Sequence, residues 1–398
     1  MFQLVRQNVN FRNFWYGQLI SQLGDRVHTL AVIWLVYSWY NSGAAVGAVL
    51  IAATLPAFLI SPFAGNILDK YDRKWIMIIC DIVRSVFVAG LAVFAFLDKL
   101  DLPVILFFTV FISIGAAFFN PATMAIMPSI VKKEELTQGN AFYQLSINVS
   151  AALGFMLGGG LIALIGIPAA FSINCVSFLL SAFFIARVVY DHLPAKLKTN
   201  FIQDFREGWK ITKGIPLITK LFGPIIVINF FLAALFVLVP VFAEGVFSRG
   251  SAGLGMMMTS LTLGMFLGAL VMSKGQPAIS TLRLLFFSLL FIGLAFLVMG
   301  LLQQFYLHLL MYALVGLSLN VSNIALMALF QKIVPNEVRG KVFGLLTSAS
   351  VSSQPISYGI MGLITDSASP SAILLFCAAA LTATAVFFLT IKELKDIK

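Results

Sequence analysis

Asp25 is a carboxyl in the middle of an apolar run, 14–37, that is long enough to cross the hydrocarbon core of a bilayer. It lies eleven residues into that run, or ~16 Å along a helix at about 1.5 Å per residue, near mid-bilayer. Burial disfavours its charge, while a cation such as Arg84 in another apolar run would favour it. A carboxyl poised between those influences can take up and release a proton; a fixed ion pair with Arg84, or a helix-packing carboxylate, is the plainer alternative. Arg26 follows directly, and neighbouring residues point about 100° apart on a helix, so the two are expected on different faces. Asp81 and Arg84, at i and i+3, can pair on one face as a structural ion pair. Glu244, at the end of a later apolar run, is the next carboxyl that could carry a proton.

The second chemical feature is a short charged loop, Gly65-Asn66-Ile67-Leu68-Asp69-Lys70-Tyr71-Asp72-Arg73-Lys74. Five of its ten residues are ionised and three of those are basic. Gly65 would let the turn or a neighbouring helix approach closely. Asp69 can accept from backbone N–H groups or pair with a cation, and Arg73 can make a fork-like contact with a carboxylate. Asp69 and Asp72 do not form a divalent-metal site, because Lys70, Arg73 and Lys74 would repel the ion and no second Asp-rich loop completes it.

The elements that must position these groups follow from composition. The chain has 398 residues, 60% hydrophobic and 11% charged, with a mean hydropathy of +0.99. A water-soluble surface cannot be built from that, so the expectation is an all-α polytopic membrane protein. Twelve runs of spanning length recur, near 14–37, 44–67, 75–97, 103–127, 139–165, 167–190, 217–242, 252–273, 283–303, 306–334, 341–364 and 371–391. The start, Met1 to Arg12, leads into the first run with no small-residue cleavage site, so that run reads as a retained helix. With both termini cytoplasmic, only Lys99 and Arg249 of the 26 Lys and Arg fall in outer loops, and Arg26 and Arg84 fall within spans. That bias supports twelve helices, and it explains the net charge of +10 by topology rather than by nucleic-acid binding. Cys80, Cys175 and Cys377 sit in separate apolar runs and form neither a disulfide framework nor a metal site.

The chain divides into two expected six-helix bundles, 1–190 and 216–398. The stretch from Ile130-Val131-Lys132-Lys133 to Phe142 is echoed by Ile333-Val334-Pro335-Asn336 to Phe343, about half the chain later. Between the bundles, 191–215 is too polar to span. Phe201, Phe205 and Trp209 recur there at i, i+4 and i+8, with Asn200 and Gln203 as a plausible capping pair, which predicts an amphipathic helix on the inner leaflet.

Gly65, Asp69, Lys70, Arg73 and Lys74 match the Gly-x-x-x-Asp-(Arg/Lys)-x-x-Arg-(Arg/Lys) signature between the second and third helices of the major facilitator superfamily. Gly24-Asp25, Asp81-x-x-Arg84, Phe119-Asn120-Pro121-Ala122 and Asp204-Phe205-Arg206-Glu207-Gly208 add to it. Together they resemble the third drug:proton antiporter group, which includes macrolide-efflux-type and enterobactin-exporter-type permeases. The resemblance covers nearly the whole chain and implies the major facilitator fold and transport by alternating access. Gly154-x-x-x-Gly158-Gly159-Gly160 looks like the glycine-rich antiporter motif of exporters, except that Gly159 stands where a proline is usual; small residues at this spacing also simply let helices pack.

In the family fold the first, fourth, seventh and tenth helices line the cavity, which makes Gln18, Gln22, Asn120, Asn229, Asn320 and Asn323 substrate-cavity candidates. Asn148 and Gln354, on the fifth and eleventh helices, come second. An amide facing lipid would be unsatisfied, whereas helices nine and twelve, expected to face lipid, carry almost no such groups. The cavity expected from these residues is aromatic-rich with few charges and suits an amphipathic organic molecule. The resulting expectation is a monomeric, proton-coupled exporter in the cell membrane, with a small molecule, protons and lipid as partners and no cofactor or metal. A lipid or lysolipid flippase, a metabolite or siderophore exporter, and a transporter-like sensor are the alternatives. No Gly-x-x-x-x-Gly-Lys-(Ser/Thr) loop is present, which excludes ATP hydrolysis through that motif.

Overall fold

The computed structural model describes residues 3–68, 70–190, 201–273, 280–335 and 338–391, and these are helical throughout apart from their connections. The first helices are α1 (Gln3–Gln7), α2 (Val9–Tyr40), α3 (Gly43–Leu68), α4 (Arg73–Phe96), α5 (Leu102–Ile130), α6 (Leu136–Ile165) and α7 (Ile167–Ala186). There follow α8 (Phe201–Lys213), α9 (Pro216–Pro240) with a π-helical turn at Val241–Val246, α10 (Gly250–Ser273), α11 (Thr281–Leu301), α12 (Phe305–Ile333), α13 (Arg339–Thr365) and α14 (Pro370–Leu389).

Among the described residues, ten helices are long and apolar enough to cross a membrane. The two other expected spans are α2 and α13, which at 32 and 27 residues have the length but not the same apolarity. The physical reason is visible in their sequences. Gln18, Gln22, Asp25, Arg26 and His28 dilute α2, and a run of serines and threonines dilutes α13.

Side-chain caps set several helix starts. Asp72 accepts from the Lys74 amide at 2.9 Å, and Asp101 caps α5 through Val104 with a proline in its first turn. Ser280 and Ser369 cap α11 and α14. The amphipathic helix expected in the connecting segment is α8, which packs on α9 and α13; Trp209 sets its edge against Phe222, with centroids 5.6 Å apart. Asn200 lies outside the described residues.

The contacts divide the chain into two compact units. The first holds residues 1–39, 48–199 and 250–255; the second holds 40–47, 200–249 and 256–398. In the first unit α4 packs between α5 and α7, over a core at one end where Phe11, Phe14, Met77, Phe119, Phe142 and Ile185 are buried together. In the second unit α11 packs on α14 and α12, and α13 packs on α9. Gly264 and Gly316 let α10 and α12 approach so closely that a Cβ on either would meet the other's backbone.

Candidate functional site

The first unit builds a polar cavity of about 410 Å³ around α2. Glycines decide how α2 is held. Gly24 lies against Asn174 and Ser177 of α7, and Gly17 faces the Ser181 carbonyl. On the other side a Cβ at Gly154 of α6 would stand 2.6 Å from the Cβ of Arg26, and one at Gly158 would stand 3.2 Å from the Cα of Val27. Ser150 of α6 also donates to the Leu19 carbonyl at 3.1 Å. With two sides held, the remaining surface of α2 opens onto the cavity through Gln18, Ser21, Gln22, Asp25, Arg26, His28 and Thr29. At 100° per residue these positions sweep about 160° of the helix.

That sweep corrects one expectation: Asp25 and Arg26 line the same cavity. They point apart, but the cavity is wider than the angle between them. The cavity of the first unit contains the charges of Asp25, Arg26 and Arg84 beside the rings of Phe119 and Tyr143.

Arg84 is the hub. Its guanidinium lies between the rings of Phe119 and Phe178, 4.3 and 4.1 Å from their centroids. It hydrogen-bonds and ion-pairs with Asp81, and its Nη1 is 3.6 Å from Asp25 Oδ2. Asp81 and Arg84 are buried, while the Asp25 side chain is 38% exposed, on the cavity side. Gly115 makes room for this arrangement, because a Cβ there would stand 2.6 Å from Arg84 Cγ. The pair expected at i and i+3 is therefore present, and it is tied to Asp25 as well.

The other candidates separate. Gln18, Gln22 and Asn120 line the cavity with Asp25. Gln22 donates weakly to Gln18 at 3.5 Å, and Gln18 Nε2 and Gln22 Oε1 are buried without a hydrogen-bond partner. Asn229 and Asn323 line a separate cavity of about 380 Å³ inside the second unit. That cavity is mainly apolar, and Leu285, Leu289, Ile292 and Phe388 from α11 and α14 contribute to it. Helices nine and twelve, expected to face lipid, thus lend apolar side chains to a cavity wall. Asn320 lines neither cavity: its amide donates to the Met265 carbonyl at 2.8 Å and fastens α12 to α10. Asn148 and Gln354 are half-buried and line neither. Glu244 is exposed on the π-helical turn and lines neither.

In the charged loop, Arg73 Nη1 donates to the Ala125 carbonyl of α5 at 2.7 Å. Asp72 is the centre of the turn, since its Oδ1 also accepts from the Tyr190 hydroxyl at 2.6 Å. Burial, and then that bond, push the Tyr190 phenol up to about 12. A Cβ on Gly65 would meet nothing within 4 Å, so no close approach depends on it here. Lys70 is exposed and Lys74 half-buried, and Asp69 lies outside the described residues. In the glycine motif, Gly154 and Gly158 seat α2, Gly159 faces Ser251 and Gly255 of α10, and Gly160 meets nothing.

Sequence reasoning passed over His28, Tyr143, Thr109 and Ser113 in the cavity. The signal for His28 was present: it stands at i+3 from Asp25 on the same apolar run.

The family model described as "Transmembrane secretion effector" matches residues 2–397. The chain belongs to that family. It is 24% identical to macrolide efflux protein A of Streptococcus pyogenes over 366 residues, covering 90% of each chain. It is 24% identical to the staphyloferrin A transporter of Staphylococcus aureus, covering 84% of each. Among solved structures, a bacterial homologue of the iron transporter ferroportin superposes with a TM-score of 0.78 at 17% identity, covering 96% of this chain and 98% of that one. A bacterial homologue of the lysosomal transporter Spinster gives 0.73 at 14% identity, covering 98% and 96%. The fold is that of the major facilitator transporters, and the protein is a multi-pass membrane transporter rather than an enzyme.

Proposed function

We propose that this transmembrane secretion effector is a proton-coupled exporter of an amphipathic small organic molecule, working by alternating access in the cell membrane. The observation that carries the reading is Asp25, a partly exposed cavity carboxyl 3.6 Å from a buried guanidinium. A proton arriving at Asp25 removes one of Arg84's two carboxylate partners. Deprotonation restores that partner, so the local field differs between the two halves of a cycle. The similarity to a macrolide efflux protein supports the outward direction. Both termini on the cytoplasmic side and twelve spans, with α2 and α13 as the first and eleventh, complete the proposal.

The test is a proteoliposome assay that records internal pH while candidate compounds are added. Asp25→Asn imitates the protonated form permanently. It should abolish proton-driven uphill transport yet permit downhill exchange of bound substrate, and Asp25→Glu should retain partial coupling. Concentrative export by Asp25→Asn under a proton gradient would make Asp25 structural and turn attention to Glu244.

A further inference from the structure

Arg26 is a guanidinium in the wall of a membrane-embedded cavity, and no described carboxylate lies within 4 Å of it. Its guanidinium lies over the face of Phe155, 5.8 Å from the ring centroid. A cation at this depth is costly unless an anion or water meets it. Arg84 differs, because two carboxylates and two aromatic rings already hold it. One residue earlier, Asp25 shares Arg84 with Asp81 and keeps part of its surface open to the cavity. The buried Gln18 Nε2, two turns from Arg26, is a further donor without a partner.

The charge balance around the cavity points to the ligand. On α2 the charged or titratable groups are Asp25, Arg26 and His28, on α4 Asp81, Arg84 and Cys80, on α6 Tyr143, and on α7 Cys175. With Asp25 ionised, two carboxylates balance two guanidiniums, and the buried His28 ring packs on Phe171 with centroids 5.3 Å apart. A ligand carrying one unbalanced charge would leave the site with a net charge in a medium of low dielectric. A ligand carrying both charges would not.

We propose, resting on the proton-antiport reading above, that the cavity of the first unit takes a zwitterionic head group, its carboxylate docked on Arg26 and its ammonium set against Asp25. Amino-acid and short-peptide termini have this chemistry. Protonation of Asp25 leaves two guanidiniums against one carboxylate, which repels the ammonium, so proton and substrate compete. Such competition is what antiport needs. Arg26 is then a specificity residue and Asp25 the shared site.

The experiment is isothermal titration calorimetry on the purified full-length protein in lipid nanodiscs, with no proton gradient. The probes are phenylalanyl-phenylalanine, leucyl-phenylalanine and phenylalanyl-leucine, each with its methyl ester (ammonium only) and its N-acetyl form (carboxylate only). The wild type should bind the zwitterions about tenfold or more tightly than either single-charge form, as one charge-assisted hydrogen-bonded contact implies. Arg26→Gln should abolish the preference over the methyl esters by weakening zwitterion binding, with ester binding held or strengthened because the site then carries one net negative charge, and Arg26→Lys should restore part of the preference. Asp25→Asn should abolish the preference over the N-acetyl forms. Equal binding of zwitterions and esters by the wild type, no zwitterion binding at all, or an undiminished preference in Arg26→Gln would overturn the proposal. Because binding is measured without a gradient, absence of proton coupling would not disturb this result, and a coupled exporter of lone cations would still fail it.

Discussion

Arg84→Met should be severely destabilising, and most of that cost should return when Asp81 is removed with it. Arg84 is 2% exposed and Asp81 is fully buried, so the methionine would leave Asp81 as an uncompensated buried carboxylate. Removing one partner of a buried pair costs about 3–5 kcal/mol. Loss of the two ring contacts, at 4.3 and 4.1 Å, adds about 1 kcal/mol each. The sum, roughly 5–7 kcal/mol, is comparable with the whole stability of an ordinary domain. In Asp81→Leu/Arg84→Met the buried charge is gone, and apolar replacements of buried pairs are often near neutral, so about 3 kcal/mol or more should be recovered. Asp25 remains in the double variant, but it can be hydrated from the cavity. The four proteins of the cycle would be compared by SDS-induced unfolding in mixed micelles, with Asp81→Leu intermediate because Asp25 still faces Arg84 at 3.6 Å. A double variant as unstable as Arg84→Met would refute the reasoning, because the loss would then lie in packing of the arginine stem and not in the stranded carboxylate.

Within the glycine motif, Gly159→Ala should destabilise by about 1–3 kcal/mol because its Cβ would stand 2.7 Å from the Ser251 carbonyl, whereas Gly160→Ala, with open space around it, should stay within about 0.5 kcal/mol in the same unfolding assay. Asp366 accepts from Ser42 Oγ at 2.7 Å and from the Gly43 amide at 2.6 Å, so Asp366→Ala should lower stability by about 1 kcal/mol, as loss of a helix cap does, and Asp366→Asn by less. Tyr190 is an acid whose folded pKa is raised to about 12 from 10, so it favours the folded state fully below pH 10 and loses that contribution as pH climbs to about 12. Tyr190→Phe should therefore show a smaller loss of thermal stability between those two pH values than the wild type, and equal losses would remove the Asp72 bond from the account.

Some of this was fixed locally along the chain. A span needs about 20 apolar residues whatever surrounds it, so the ten apolar helices and the lengths of α2 and α13 could be read directly. A carboxyl within such a run is expensive, so Asp25 declared itself without any knowledge of its neighbours. The i, i+3 spacing of Asp81 and Arg84 is likewise a property of one helix, and their pairing followed from it. What depended on several helices at once could not be read. Asn229 and Asn320 look alike in sequence, yet one lines a cavity with its amide bonded to the Ile225 carbonyl of its own helix and the other bonds the Met265 carbonyl of a neighbouring helix, because only packing decides which acceptor an amide meets. Gly65 matches a motif but opens onto empty space, whereas Gly24, noted only as the neighbour of Asp25, sets how closely α7 approaches. Arg26 was assigned away from Asp25 by helix angle alone. It shares the cavity because α6 and α7 hold the rest of α2 and leave a wide arc free, and the width of that arc is set by neighbours that lie more than a hundred residues away in the chain.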